Sequence, residues 1–224
     1  DVVFPHNLAR HILALNSIGQ PKATALESYA KTILEDAEVS SIVADVLDPT
    51  NGVVVEALDA ADVIVDVSTS IAVERMLAID VKSKARRISL FLNPYGNCLV
   101  MLCEDAERKV TLDQLEMQLN SILAGKDDYA EYYSRPSTIP YATSCRDITS
   151  RISQEYIALS AAAASKELKR VQVATSANIV IWSISDDGIV ADRYNGERWH
   201  SVSCGDWRVF MRSSLLQSLQ TKRT

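Results

Sequence analysis

Apolar positions along this chain alternate between stretches at helical spacing and stretches suited to strands. Between Pro21 and Ala37 the residues Ala23, Leu26, Ala30, Ile33, Leu34 and Ala37 lie on one helical face, and Pro21 is tolerated in a first turn, so a helix is predicted over 21–37. Residues 41–47 read as a short strand, 51–58 as a turn or two of helix, and 62–67 (DVIVDV) as a β-branched strand. A helix over 71–81, a strand over 87–92 and a further strand over 95–103 follow. An amphipathic helix over 111–124 then carries Leu112, Leu115, Leu119 and Leu123. This rhythm predicts an α/β fold, mainly parallel in its first part, whose ligands bind beyond the carboxyl ends of the strands.

The stretch 125–149 breaks the rhythm. It sets Tyr129, Tyr132, Tyr133 and Tyr141 with Pro136 and Pro140 among acids and hydroxyls, and reads as a long crossing loop, a length usually tied to function in a compact domain. The tyrosines either grip a partner protein or pin the loop to the sheet. A long helix over 148–171 follows, with Ala158 and the alanines at 161–164 suited to close packing. The tail is β-rich, with strands over 178–184, 188–193 and 198–203, turns at Asp186-Asp187-Gly188 and Asn195-Gly196, and a last helix over 207–222. Trp182, Trp199 and Trp207 are assigned to its core.

Composition narrows the classes. With 224 residues and 47% apolar content the chain can bury about 70% of its unfolded surface, which excludes disorder. Apolar runs such as 60–65 and 88–92 fall far short of the roughly 20 residues that span a bilayer, and no signal peptide is recognisable, so a soluble cytoplasmic protein with no membrane partner is expected. A net charge of −6 argues against a general nucleic-acid binder. Seven glycines, no two closer than eight positions, exclude a glycine-rich phosphate loop. The chain opens at Asp1 rather than Met and is expected to be part of a longer protein.

Four cysteines stand without a C-x-x-C pair, and the three histidines never fall at ligand spacing with them, so no metal site is predicted. Cys98 and Cys103 sit in an apolar stretch and read as small buried hydrophobes. Cys145 lies in a polar segment ahead of a helix, where a thiol pKa can be lowered. His6 and His11 read as surface or packing residues, and Glu104, Asp105 and Glu107 as a solvated strand end. If 5–15 is helical, Asn7 and Arg10 point the same way, one turn apart. Lys22 follows Gly19 at the start of the next helix, where backbone N–H groups and the helix dipole favour an anion. Arg10 and Lys22 are then either solvated surface cations or a pair converging on phosphates.

The order Asp1, N-L-A-R (7–10), I-G-Q-P-K (18–22) and the strand ADVIVDVS (61–68) with its following helix resembles the ThiF/MoeB superfamily of ubiquitin-activating-type adenylating enzymes. The likeness is closest over 1–92 and looser beyond. It implies a Rossmann-like adenylation domain that uses ATP and Mg2+ to adenylate the C-terminus of a ubiquitin-like protein. In many members a cysteine in a crossover loop then captures the acyl group as a thioester. The resemblance implies nucleotide contacts from Asn7, Arg10 and Lys22, with Arg10 acting in catalysis by neutralising charge on the α-phosphate and the departing pyrophosphate. Residues 1–124 are then the C-terminal part of the adenylation core, 125–149 the crossover loop, and 150–224 a long helix and β-rich tail completing the same domain.

Two departures bear on that picture. The family's strand usually ends in a metal-binding acid, where DVSTS (66–70) has Thr69; Asp66, three residues earlier, is the remaining cofactor-binding candidate. The family's G-x-G-x-x-G unit has no counterpart, so the first βαβ unit is expected upstream of Asp1. FLNPYGNCLV (91–100), SCRDITSRIS (144–153) and the tail resemble a bacterial branch similar to the activating enzymes of CBASS antiphage operons. In that branch the cysteine ahead of the long helix matches Cys145, which the resemblance makes the thioester nucleophile. The partners implied are a ubiquitin-like protein or conjugation target, a ubiquitin-conjugating-like domain in the same or a neighbouring chain, and a second subunit of a homodimer. Two other readings stand beside this one. The first is a non-catalytic adenylation-like interaction or dimerisation module, favoured by Thr69 and the missing glycine loop. The second is a sulfur-carrier activating enzyme of cofactor biosynthesis, against which the lack of C-x-x-C zinc ligands counts.

Overall fold

The computed structural model describes residues 1–36, 38–130, 132, 139–140, 148–149, 152–185 and 188–197. Helices α1 (Lys22–Ile33) and α2 (Gly52–Ala60) precede strand β1 (Val63–Asp66). Helix α3 (Ile71–Arg75) runs on as a π-helical turn over Met76–Asp80 and leads to β2 (Arg86–Leu92) and β3 (Cys98–Cys103). Then come α4 (Leu112–Gly125), the short strands β4 (Ile139–Pro140) and β5 (Ile148–Thr149), α5 (Gln154–Val173), β6 (Asn178–Ser185) and β7 (Gly188–Asn195). Five strands form one sheet in the order β1-β2-β3-β6-β7, and β4 pairs with β5 apart from it. Within the large sheet β1 and β2 run parallel, while the β2·β3, β3·β6 and β6·β7 pairings are antiparallel. The parallel character expected of the first part is therefore confined to one pairing. No helix among the described residues is long and apolar enough to cross a membrane.

Both faces of the sheet are covered, which is why β3 (CLVMLC) is buried along its whole length without polar alternation. On one face α4 lays Leu112, Leu115, Leu119 and Leu123 over Val100, Leu102, Ile179 and Ile181. On the other, Val171 and Leu168 of α5 pack on Ile88, Leu90, Met101 and Trp182. Cys98 and Cys103 belong to these two clusters, and burial pushes each thiol up to about 11, the inert state expected of them. Tyr129 and Tyr132 join the α4 face, and Tyr129 OH donates to Asp192, so these two pin the chain to the sheet. Tyr133 and Tyr141 lie outside the described residues, as do Trp199, Trp207 and the strand and helix expected over 198–222.

Several boundaries differ from expectation for identifiable reasons. Residues 41–47 form no strand, because β1 pairs with β2 and its other edge carries no partner among the described residues; a β pattern without a ladder stays irregular. The segment expected to be helical over 5–15 is a 3-10 turn, Pro5–Arg10, which ends where His11 takes an extended backbone. Helix α1 ends at Ile33, with Leu34 extended. Helix α5 begins at Gln154 because 148–149 pair in β5. The β2–β3 connection is a turn in which Asn93 Oδ1 accepts from Cys98 N at 3.0 Å and Gly96 has φ +74°; a Cβ on Gly96 would lie 2.5 Å from Ile152.

The largest correction concerns Glu104, expected in solvent and found fully buried. Its carboxylate accepts from Arg87 N (3.2 Å), Arg108 Nε (2.7 Å) and Leu112 N (3.1 Å), so it joins β2 to the first turn of α4, where the helix dipole favours an anion. The Arg86 guanidinium donates to the carbonyls of Glu104, Val171, Ala174 and Ser176, closing the C-terminal end of α5 onto the sheet. Arg87 is also wholly buried and donates to the carbonyls of Val81, Ser83 and Ala85; burial and then the charge of Arg108 lower its pKa. Replacing Glu104 by Ala takes its carboxylate from the part-buried Arg108 and leaves the buried N–H groups of Arg87 and Leu112 without an acceptor. Urea denaturation of Glu104→Ala should show a loss of about 3–5 kcal/mol, and a loss below about 1 kcal/mol, the scale of one ordinary hydrogen bond, would show the hub to be dispensable.

Candidate functional site

At the carboxyl end of β1 the chain turns through Val67, Ser68, Thr69 and Ser70 into α3. Asp66 fixes this turn: it is buried, and its Oδ1 accepts from Ser68 N at 2.8 Å, an Asx turn. Ser68 Oγ accepts from Ser70 N at 3.2 Å, and Thr69 Oγ1 donates to Ser68 O at 2.7 Å. Thr69 sits at φ +56°, a left-handed conformation that a β-branched residue adopts at a cost. The turn forms one wall of a cleft of about 1130 Å³. Asp1, Lys22 and the irregular chain 42–47 also line it. A second cavity, of about 540 Å³, shares Val67 and Thr69 with the cleft and runs between the sheet and Ala161 and Ala164 of α5.

Lys22 owes its place to the pairing of the first residues with the start of α1. Val2 bridges Pro21, Val3 N donates to Gln20 O, and Gly19 N donates to Val3 O with Gly19 at φ +86°. Lys22 N donates to Asp1 O at 2.9 Å, so this N–H, expected to favour an anion, is already used. The Lys22 ammonium stands 3.6 Å from Asp1 Oδ2 with its side chain 31% exposed, which leaves it able to meet an incoming anion. His11 Nδ1 accepts from Leu13 N at 3.3 Å; burial, then the Lys22 charge, holds His11 below its ordinary value and therefore neutral near pH 7.

Of the residues singled out from the sequence, Lys22 lies on the cleft wall. Asn7 is half-buried, and its Oδ1 accepts from Phe4 N at 2.9 Å, closing the 3-10 turn. Arg10 ends that turn, and its side chain lies outside the described residues, as does Cys145 altogether. Asp66 holds backbone. The hydroxyl-lined turn 68–70 was not anticipated; its signal is an Asp two residues ahead of a Ser, followed by a helix start.

A second group without a sequence signal is Glu74 of α3, 9% exposed, whose Oε1 has no hydrogen-bond partner. Burial foremost, then the carboxylates of Glu116 and Asp66, push its pKa up to about 7, with Arg75 pulling the other way. The cleft is large enough for a nucleotide. Its residues do not fit a protein-held Mg2+: among the described residues no group of three or more His, Cys, Asp or Glu is placed to hold a metal ion, and Asp66 is engaged by Ser68 N.

The architecture around this cleft is that of a known α/β fold. The chain superposes on MccB of E. coli with a TM-score of 0.56 at 13% identity, covering 91% of this chain and 55% of MccB. With MccB holding MccA-N7isoASN the values are 0.53 and 14%, over 91% of this chain and 57% of MccB. With MccB holding ATP they are 0.49 and 16%, over 91% and 56%, too loose a superposition to argue from. The chain thus spans just over half the length of MccB, and at these identities the likeness is one of fold. No family profile matches the sequence, and no curated protein matches it.

The strain at Thr69 is open to measurement. Thr69→Gly releases about 1–2 kcal/mol of left-handed strain and adds about 0.5–1 kcal/mol of chain entropy to the unfolded state, so stability should hold or rise by up to about 1.5 kcal/mol. A stability that falls by about 0.5–1 kcal/mol, the entropy term alone, would show the turn to be unstrained.

Proposed function

We propose that this chain forms part of the adenylation site of a ThiF/MoeB-type enzyme, acting with ATP on the C-terminal carboxylate of a peptide or ubiquitin-like protein. The observation that carries this reading is the cleft at the carboxyl end of β1. There Lys22 faces a hydroxyl-lined turn in a fold like that of MccB, itself a ThiF/MoeB-type adenylating enzyme. The N-L-A-R and G-Q-P-K elements support it from the sequence.

In the proposed reaction a carboxylate oxygen attacks the α-phosphorus of ATP, the bond to the bridging oxygen breaks, and pyrophosphate leaves with that electron pair. Lys22, with Arg10 and the amide of Asn7, offsets the negative charge that gathers on the phosphates. The turn at 67–70 shapes the wall against which the acyl phosphate sits. A thiolate of Cys145 then attacks the acyl carbon, forms the thioester and releases AMP. No step is assigned to Mg2+. The target, a homodimeric assembly, a conjugating-like partner and a place in antiphage defence belong to this proposal through the sequence resemblance. A non-catalytic adenylation-like module is the second reading, favoured by Thr69 in place of an acid and by the engagement of Asp66 with Ser68 N.

Isotope exchange between pyrophosphate and ATP separates the two. In a longer protein that carries this chain behind the expected upstream βαβ unit, with Mg2+ and a panel of ubiquitin-like proteins and peptides bearing free C-termini, exchange should proceed and fall on the order of 10²-fold in Lys22→Ala. Exchange at the wild-type rate in that variant excludes Lys22 from the reaction, and no exchange with any panel member favours the non-catalytic module. Cys145→Ser should keep exchange and lose a thiol-sensitive adduct on non-reducing gels; an adduct that persists rules Cys145 out as nucleophile.

A further inference from the structure

Helices α3 and α4 meet over a set of carboxylates. Glu74 of α3 is nine-tenths buried with an oxygen that no donor reaches, and the charged groups around it are Asp66 at the end of β1, Asp113 and Glu116 on α4, and Arg75 on α3. The one cation of this set is committed: Arg75 Nη2 binds Glu116 Oε2 at 2.8 Å. Asp113 accepts from Thr111 Oγ1, and Asp66 accepts from Ser68 N, so neither is free to rearrange towards Glu74 without breaking a contact that shapes its own segment. An ionised Glu74 there has one oxygen without a donor, and its nearest cation, Arg75, is shared with Glu116 against three neighbouring carboxylates, so its favourable course is to move towards water. A protonated Glu74 fits the site as it stands.

Helix α3 presents a different residue to each side. Val73 lies on the cleft wall, and its neighbour Glu74 lies in the contact with α4; Ser70 is the residue from which α3 starts, directly after Thr69. Any tilt of α3 away from α4 therefore moves the turn at 67–70.

We propose that the α3–α4 contact is a pH-sensitive latch, closed while Glu74 carries its proton and loosened when Glu74 ionises, so that the wall of the cleft gains mobility as pH rises. The sign follows from linkage. A carboxyl raised from 4.5 to about 7 on folding stabilises the folded state fully below the lower value, and that contribution is lost as pH climbs through the upper one. From well below the lower value to well above the upper one the folding constant changes roughly 300-fold from this group alone. Other carboxylates, such as Glu167 beside Arg170 and Arg193, shift the opposite way, so the effect is read as a ratio between proteins.

The test is urea unfolding of the whole chain and of Glu74→Gln from about pH 5 to about pH 8. The folding constant of Glu74→Gln relative to wild type should rise by roughly 70-fold across that range; a ratio independent of pH overturns the latch. If Glu74→Gln does not fold, Glu116→Gln replaces it. That variant removes a like charge and frees Arg75, so the pH-dependent loss should move to lower pH, and an unmoved midpoint is again fatal. Hydrogen exchange, corrected for its intrinsic base dependence, should show amides 70–80 losing protection over the same range in wild type and keeping it in Glu74→Gln. Equal protection in both proteins, with stability still pH-dependent, would locate the effect away from α3.

Discussion

The carboxylate of Glu104, withdrawn from water between a strand and a helix, is the constraint on which the arrangement of layers rests. An acid in that position has to be met by donors from every side, and it is: a backbone N–H of β2, a backbone N–H of α4 and the guanidinium of Arg108. Because those donors belong to different elements, satisfying one charge sets the register of β2 against β3 and the height of α4 above the sheet. Arg86 does for α5 what Glu104 does for α4, gathering the last carbonyls of the helix at the same end of the strands. The two helices are thereby fixed to opposite faces by one polar patch, while Leu112 to Leu123 on one side and Val171 with Leu168 on the other supply the apolar adhesion.

The cleft depends on this at one remove. It lies at the opposite, carboxyl end of β1, which is held to the rest of the sheet through β2. Its walls are of unequal firmness. The turn at 67–70 is braced by the buried Asp66 and by two hydroxyl bonds, whereas the facing wall of 42–47 has no ladder. Lys22 stands between them on a helix whose start is tied to the first residues of the chain. The cleft thus has a braced wall opposite an irregular one, with a cation at the rim.

How much of this was readable in advance follows from where the information resides. Helix α4 was legible because its leucines repeat at 112, 115, 119 and 123 and a single surface buries them all. Strands β1, β2, β3, β6 and β7 were legible in their apolar and β-branched runs. Residues 41–47 carry the same kind of run and are irregular, since a strand needs a partner that its own sequence does not supply. The acids at 104, 105 and 107 looked like one solvated edge. What distinguishes Glu104 is that three donors from distant positions converge on it, and spacing along the chain carries no trace of that. The same holds for Glu74, whose character comes from neighbours on α4 and β1. Of the candidate site, Lys22 and the end of β1 line one cleft, whereas the role of Asp66 as a backbone brace, and the left-handed Thr69, needed coordinates. The family resemblance pointed to a fold that the superposition on MccB supports, while leaving the chemistry of Arg10 and Cys145 to experiment.

The pairing of β3 has a further consequence for how such chains diversify. Its partner on one side, β2, is reached through a tight turn, and its partner on the other, β6, arrives after α4, the crossing segment and α5. The ends of that long excursion are fixed at the sheet, so its length enters the free energy only through the logarithm of loop closure, about 0.6 kcal/mol for each doubling. Insertions or exchanges between α4 and α5 are accordingly cheap, and the strands beneath need not register them. Descendants of one ancestor can thus differ widely in this excursion while inheriting an unchanged cleft.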